Sequence, residues 1–237
     1  MVSARRRLRP ERMDEPDLDP HEHRRALDSL GRAHLVSRSA AAIWPAIRGV
    51  APRSGRPLRI LDLACGGGHV VLGLVRRGVR EGVEIEACGV DRSPLALDYA
   101  RTRAARAGVR RVTFAPLDVA RQPLPGAFDV VLCSLFLHHL GDEAAETLLR
   151  RMRDAARQLV VVSDLRRTPL GYLFAWAGCR LLSRSRVFHV DGARSVEAAF
   201  TMDEVRRLAG RAGLAEARVV ARWPQRYLLT WRHDGQH

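Results

Sequence analysis

The sequence predicts a doubly wound α/β domain on a largely parallel sheet, and three observations carry that reading. An apolar run, Leu58 to Leu63, breaks into the glycine-rich turn Gly66-Gly67-Gly68. Strand-like and helix-like segments alternate after it. Acidic residues, Asp62, Asp91 and Asp118, stand at or near the ends of three successive strand-like segments.

Taken in order, residues Met1 to Pro20 are charged and proline-punctuated, without the apolar core of a secretory signal, and are expected to form a loose arm. Asp19-Pro20 opens an amphipathic segment running to about Ile47, with Leu27, Leu30, Ala33, Val36, Ala40 and Ile43 at helical spacing. Pro52 to Pro57 is a linker into the first strand, Leu58 to Leu63, which is apolar enough to be buried on both faces. A helix starts at His69 and runs to about Arg77. The second strand spans Glu84 to Asp91, and Ser93 caps a helix, Pro94 to Ala107, with proline in its first turn. Strands at Val112 to Leu117 and Phe128 to Ser134, a helix from Asp142 to Arg157, and a fifth strand from Leu159 to Asp164 follow. The crossovers are right-handed by rule.

Residues 165–200 then interrupt the pattern. Beyond them Thr201 caps a helix, Met202 to Ala212, with Glu204 at the capping-box position and Gly213 closing it. Two last strands, near Leu214 to Arg222 and Gln225 to Arg232, bring the count to seven.

Composition narrows the class further. At 237 residues and 46% apolar content, one core of doubly wound size is expected. Cys65, Cys88, Cys133 and Cys179 are widely spaced with no C-x-x-C pair, which suggests reduced thiols in a cytoplasmic protein and no zinc or other metal centre. The formal charge of +14 would suit nucleic acid, but all 40 basic residues are arginine and they scatter, apart from Arg5-Arg6-Arg7. A compositional bias explains that better than a binding footprint. The longest apolar stretch, Leu170 to Leu182, contains Arg180 and falls short of the roughly 20 residues that span a bilayer.

The run Asp62-Leu63-Ala64-Cys65-Gly66-Gly67-Gly68 follows the pattern D-x-G-x-G-x-G with alanine at the first glycine. It resembles the S-adenosylmethionine (SAM) motif of class I methyltransferases. The dinucleotide pattern G-x-G-x-x-G fits poorly, since its third glycine would fall on Val71 or His69. A strand-borne aspartate also suits a cationic ligand better than a pyrophosphate.

The resemblance implies a Rossmann-like, seven-stranded sheet whose final strand inserts antiparallel, a helical arm over residues 1–57, a methyltransferase domain over 58–237, and a substrate cap inserted at 165–200. It also implies a cofactor site. Asp62, Ala64, Gly66 and Gly68 would form the turn, and Asp91 would accept both ribose hydroxyls, with Arg92 beside the adenine. Asp118 would accept the adenine amine while the Val119 N–H meets a ring nitrogen. Ser134 and Leu135, at the end of the fourth strand, would wall the cofactor. Asp129 is expected to face away.

Methyl transfer needs positioning and dehydration first, and a base only for acceptors protonated at neutral pH. His138, in the segment Leu137-His138-His139-Leu140, is one candidate base. His189 is the other, with Asp191 as its orienter, because alternate positions share a face of an extended segment. Leu170, Phe174, Ala177, Leu181 and Leu182 make an apolar stripe expected to lid an acceptor pocket.

The function expected is methylation of a hydroxyl on a small hydrophobic, aromatic or polyketide-like molecule of secondary metabolism. Carbon methylation of a quinol-like ring is the near alternative. Nucleic-acid methylation would want an Asn/Asp-Pro-Pro-Tyr loop where this chain has Ser134-Leu135-Phe136-Leu137. A SAM-binding protein without turnover would need no apolar cap. Oligomeric state is left open.

Overall fold

The structure, a computed structural model, describes residues 6–15, 17–52, 55–126 and 128–233. Arg5 of the three-arginine run and residues 53 and 54 of the linker lie outside the described residues.

The sheet grows from β1 (Leu58–Leu63), where every residue except Arg59 is buried. It pairs in parallel with β2 (Ile85–Asp91) on one side and β4 (Phe128–Ser134) on the other. Adding β3 (Val112–Pro116), β5 (Ala156–Leu165), β6 (Arg218–Arg222) and β7 (Arg226–Arg232) gives the order β3-β2-β1-β4-β5-β7-β6. Only β7 runs antiparallel to its sheet neighbour β5, and it also pairs antiparallel with β6. The strand order therefore reverses direction between β1 and β4, the place where open α/β sheets bind ligands.

Two apolar layers flank the sheet. On one face α2 (Ser39–Arg48), α3 (His69–Arg80) and α4 (Pro94–Arg106) bury Ile43, Trp44, Ile47, Val71, Leu74 and Ala104. On the other, α5 (Asp142–Ala155) and α8 (Met202–Arg211) bury Leu148, Leu149, Met152, Val205 and Leu208. Local chemistry fixes the starts: Ser93 Oγ accepts from Ala96 N, and Thr201 and Glu204 form the reciprocal capping box. Each such cap stabilises its helix by about 1 kcal/mol.

The helical arm differs from expectation. The segment Asp19 to Ile47 is two helices, α1 (Pro20–Val36) and α2, because Arg38 adopts a left-handed φ of 50°. At the break the Ser39 hydroxyl shares hydrogen bonds with Ser37 Oγ and His34 Nδ1 and accepts one from Arg226. The interruption after β5 is also helical, as α6 (Pro169–Leu182) and α7 (Arg186–Ala198). Among the described residues, no helix is long and apolar enough to cross a membrane.

The arm before α1 is not loose where it is described. Arg12–Asp14 forms a short 3-10 turn against α7, and Arg12 and Met13 donate their N–H groups to Asp191 at 2.8 and 3.0 Å. Arg6 reaches the carbonyls of Leu140 and Ala198 and the carboxylate of Asp142, with its guanidinium 3.5 Å from the centre of the Phe200 ring. Asp129 faces away from the strand ends that carry the site: both its oxygens take Arg56, at 2.7 and 2.9 Å, and one also accepts the Arg59 N–H.

Candidate active site

At the switch point the chain between β1 and α3 turns through Ala64, Gly66 and Gly68, all at positive φ (50°, 50° and 70°). Glycine suits the last two, while Ala64 holds a conformation strained for a residue with a Cβ. A Cβ on Gly66 would meet no protein atom within 4 Å, so this backbone faces open space. Its N–H donates to Asp91 Oδ2 at 2.8 Å, and Ser93 N–H donates to Asp91 Oδ1 at 2.9 Å. The acidic end of β2 thus holds the glycine turn and the start of α4 at once.

Asp62 is buried, and it accepts a backbone hydrogen bond from Val71 in α3. Its Oδ2 has no hydrogen-bond partner. Burial, and then the charge of Asp91, push its pKa well above the usual carboxylate range. The open Gly66 backbone, held by Asp91, leaves room for a ligand against the turn, while the buried Asp62 supports the turn from behind through Val71.

A cavity of about 510 Å³ opens from this turn. Beside the turn Ala64, Gly66, Asp91, Arg92, Asp118, Val119 and Leu135 line it, the last at φ 55°. Asp118 also orders its own turn, accepting from Ala120 N at 3.0 Å. Asp62, Gly68 and Ser134 stand behind the wall rather than in it. The Ser134 hydroxyl is buried without a partner.

The far end is apolar. Leu27, Leu30 and Val36 of α1 face Phe174, Ala177, Leu181 and Leu182 of α6, so four of the five stripe residues reach the cavity and Leu170 does not.

His138 also lines the cavity, from a short 3-10 turn after β4. Its Nδ1 lies 2.7 Å from Asp164 Oδ1, and its backbone N–H donates to Asp164 Oδ2 at 3.1 Å. Its Nε2 is 3.4 Å from Glu11 Oε1, and Glu11 also accepts from the Ser195 hydroxyl. Burial would lower the pKa of His138, but the Asp164 charge and hydrogen bond, reinforced by Glu11, push it up to about 10. Asp164 is held below its usual value by the same pairing, against the effect of burial. At neutral pH this imidazole is therefore a cation between two carboxylates, not a free base.

His189 and Asp191 do not form the expected pair. Residues 186–198 are helical, so positions two apart point to different faces. His189 Nε2 bonds the Ser183 carbonyl at 2.7 Å and does not line the cavity. Asp191 lines it but is committed to the arm. Sequence reasoning missed Glu11 altogether; it lies 127 positions from His138 and in a segment without periodicity.

The fold and site define a class I, Rossmann-like α/β domain with a ligand crevice at the β1/β4 switch point. Residues 60–158 match the family model described as a methyltransferase domain. Ubiquinone biosynthesis O-methyltransferase of Alkalilimnicola ehrlichii is 35% identical over 130 residues, covering 52% of this chain and 48% of that protein. The chain thus spans about half the length of the curated relatives it matches.

Among solved structures, an O-methyltransferase family 2 protein from Planctomyces limnophilus in complex with apigenin superposes with a TM-score of 0.66. It has 19% identity and covers 92% of this chain and 63% of its own. Magnesium protoporphyrin IX methyltransferase from Synechocystis with bound SAH gives a TM-score of 0.58 at 19% identity, covering 86% of this chain and 84% of its own. These likenesses establish the shared fold.

Proposed function

We propose that this protein transfers the methyl group of SAM to a hydroxyl of a small hydrophobic, aromatic or polyketide-like acceptor. The observation that carries the reading is that one continuous cavity is lined by Gly66 and Asp91, by the apolar residues of α1 and α6, and by His138. When bound, SAM supplies an electrophilic methyl group. Asp91 would hold the ribose hydroxyls, Asp118 and Val119 the adenine edge, and Asp62 the turn that carries Gly66.

The walls of α1 and α6 exclude water and orient the acceptor, which lowers the barrier to an in-line displacement without a covalent role for the protein. His138, fixed by Asp164, is the group assigned to the acceptor oxygen. The O-methyltransferase relatives favour oxygen over carbon as the acceptor atom. The apolar far wall favours a small molecule over an oligonucleotide.

The test is incubation with methyl-labelled SAM and a panel of phenols, quinols and oligonucleotides, followed by mass spectrometry. Label on a phenolic or quinol oxygen is expected. Label on a ring carbon would shift the assignment to carbon methylation, and label on oligonucleotide alone would overturn it. SAM bound with no label transferred to any acceptor would favour a binding protein.

A further inference from the structure

We propose that Glu11, His138 and His139 form a binding site for a divalent first-row transition metal ion, open to the acceptor cavity. The inference rests on the small-molecule reading above, and it departs from the expectation of no metal centre. That expectation followed from cysteine spacing, which carries no information about an N/O donor set.

Three observations support it. First, the donor atoms of the three residues all lie within 4.8 Å of one another. Glu11 Oε1 is 3.4 Å from His138 Nε2, and Glu11 Oε2 is 3.6 Å from His139 Nε2. A charge-assisted hydrogen bond would be about 2.7–2.9 Å. Two ligands each about 2.1 Å from a tetrahedral ion stand roughly 3.4 Å apart. The contacts lie at the long edge of hydrogen-bond and ion-pair distance, a separation that ligands around one ion also take up.

Second, Asp164 already holds the far nitrogen of His138 at 2.7 Å. A metal-ligating histidine gives its other ring N–H to a carboxylate in this way, and an ion at Nε2 would displace the proton that His138 otherwise carries there towards Glu11. Third, Glu11 is anchored. The Asp191 carboxylate takes the N–H groups of the next two residues, and Arg194 takes the Pro10 carbonyl at 2.8 Å. A ligand 127 positions away from its partners is thereby set in place before any ion arrives.

Two imidazoles and one carboxylate, without a thiolate, suit Zn²⁺, Fe²⁺, Co²⁺ or Mn²⁺ rather than Cu⁺ or Ca²⁺. Three protein ligands leave at least one position open, and the three residues line the acceptor cavity. An acceptor hydroxyl would ligate there and release its proton to solvent, because a bound cation lowers the pKa of a ligating oxygen acid.

The experiment is titration of the chelator-stripped full chain with Co²⁺ alone, followed by calorimetry and visible absorption. One Co²⁺ per chain is expected, with d–d bands of a four- or five-coordinate site. Glu11→Gln and His139→Ala should each weaken uptake on the order of tenfold or more, while a variant of the exposed His21, His21→Ala, should bind like the parent. Absent uptake, or uptake that Glu11→Gln and His139→Ala both leave unchanged, overturns the site. Neither SAM nor acceptor is present, so the result stands apart from whether the methylation reading survives.

Discussion

The carboxylate of Asp164 meets His138 twice, at the ring Nδ1 (2.7 Å) and at the backbone N–H (3.1 Å), and both residues are buried. One side chain on β5 thereby fixes the position and ring orientation of a residue in the turn after β4. Asp164→Asn is expected to lower turnover by roughly a hundredfold, because the amide presents a donor or a weaker acceptor to Nδ1. The SAM dissociation constant should change little, which calorimetry against turnover separates.

The same pair sets a pH dependence of stability. His138 has its folded pKa raised to about 10, so its contribution is complete below the unfolded value near 6.5 and is lost as pH rises towards 10. Asp164 is lowered, so its contribution is present above about 3.9 and is lost as pH falls below that. Thermal unfolding from pH 7 to pH 10 should therefore show the advantage of the parent over Asp164→Asn narrowing steadily. A constant gap would mean that His138 does not hold its proton.

Asp91 joins Gly66 N–H to Ser93 N–H while facing the cavity. Asp91→Ala removes the proposed ribose acceptor and leaves both backbone donors without their partner. Hydrogen bonds to charged groups contribute about 1.5–3 kcal/mol each, so SAM affinity should fall by at least roughly a hundredfold. Calorimetry with SAM checks this, and unchanged affinity would remove Asp91 from the cofactor site.

Several elements were legible because one physical pattern dominated them. Leu58 to Leu63 is apolar on both faces, Pro94 follows a serine cap, and Thr201 with Glu204 spells out a capping box; each appears where expected. The dyad at His189 and Asp191 was misread for an equally local reason. Val187, Phe188, Asp191, Ser195 and Val196 are buried at helical spacing, whereas a period of two was taken from two polar residues. Glu11 had no local signal at all. Its place depends on a contact with α7 made across most of the chain, which neither propensity nor periodicity encodes.

His69 opens α3, stacks on His34 at 5.6 Å between ring centroids, and has an Nε2 without a partner. Burial, and then the Arg103 charge, lower its pKa to about 3, and burial lowers His34 well below its usual value. Both rings are neutral in the folded chain, so the unfolded chain binds more protons below about pH 6.5. Stability should fall on acidification from pH 7 to pH 5, by up to about 1.4 kcal/mol per pH unit for each ring. His69→Phe should lose less over that range, as chemical denaturation at several pH values would show.

Asp191 is the residue on which the arm's place depends, because its two oxygens take the N–H groups of Arg12 and Met13. Asp191→Ala removes both acceptors and should release the segment that carries Glu11. Limited trypsin digestion at the arm arginines should then accelerate several-fold while the sheet domain stays intact. Burial raises the Asp191 pKa to about 6, opposed by these same two hydrogen bonds. The folded chain therefore binds more protons than the unfolded chain between about pH 4 and pH 6, and stability from this group falls as pH rises through that window. Asp191→Asn cannot ionise and escapes that loss. Its melting temperature relative to the parent should rise between pH 4 and pH 6.5, whatever the offset from its changed hydrogen bonds, and a flat difference would show that the carboxylate is already ionised at the low end.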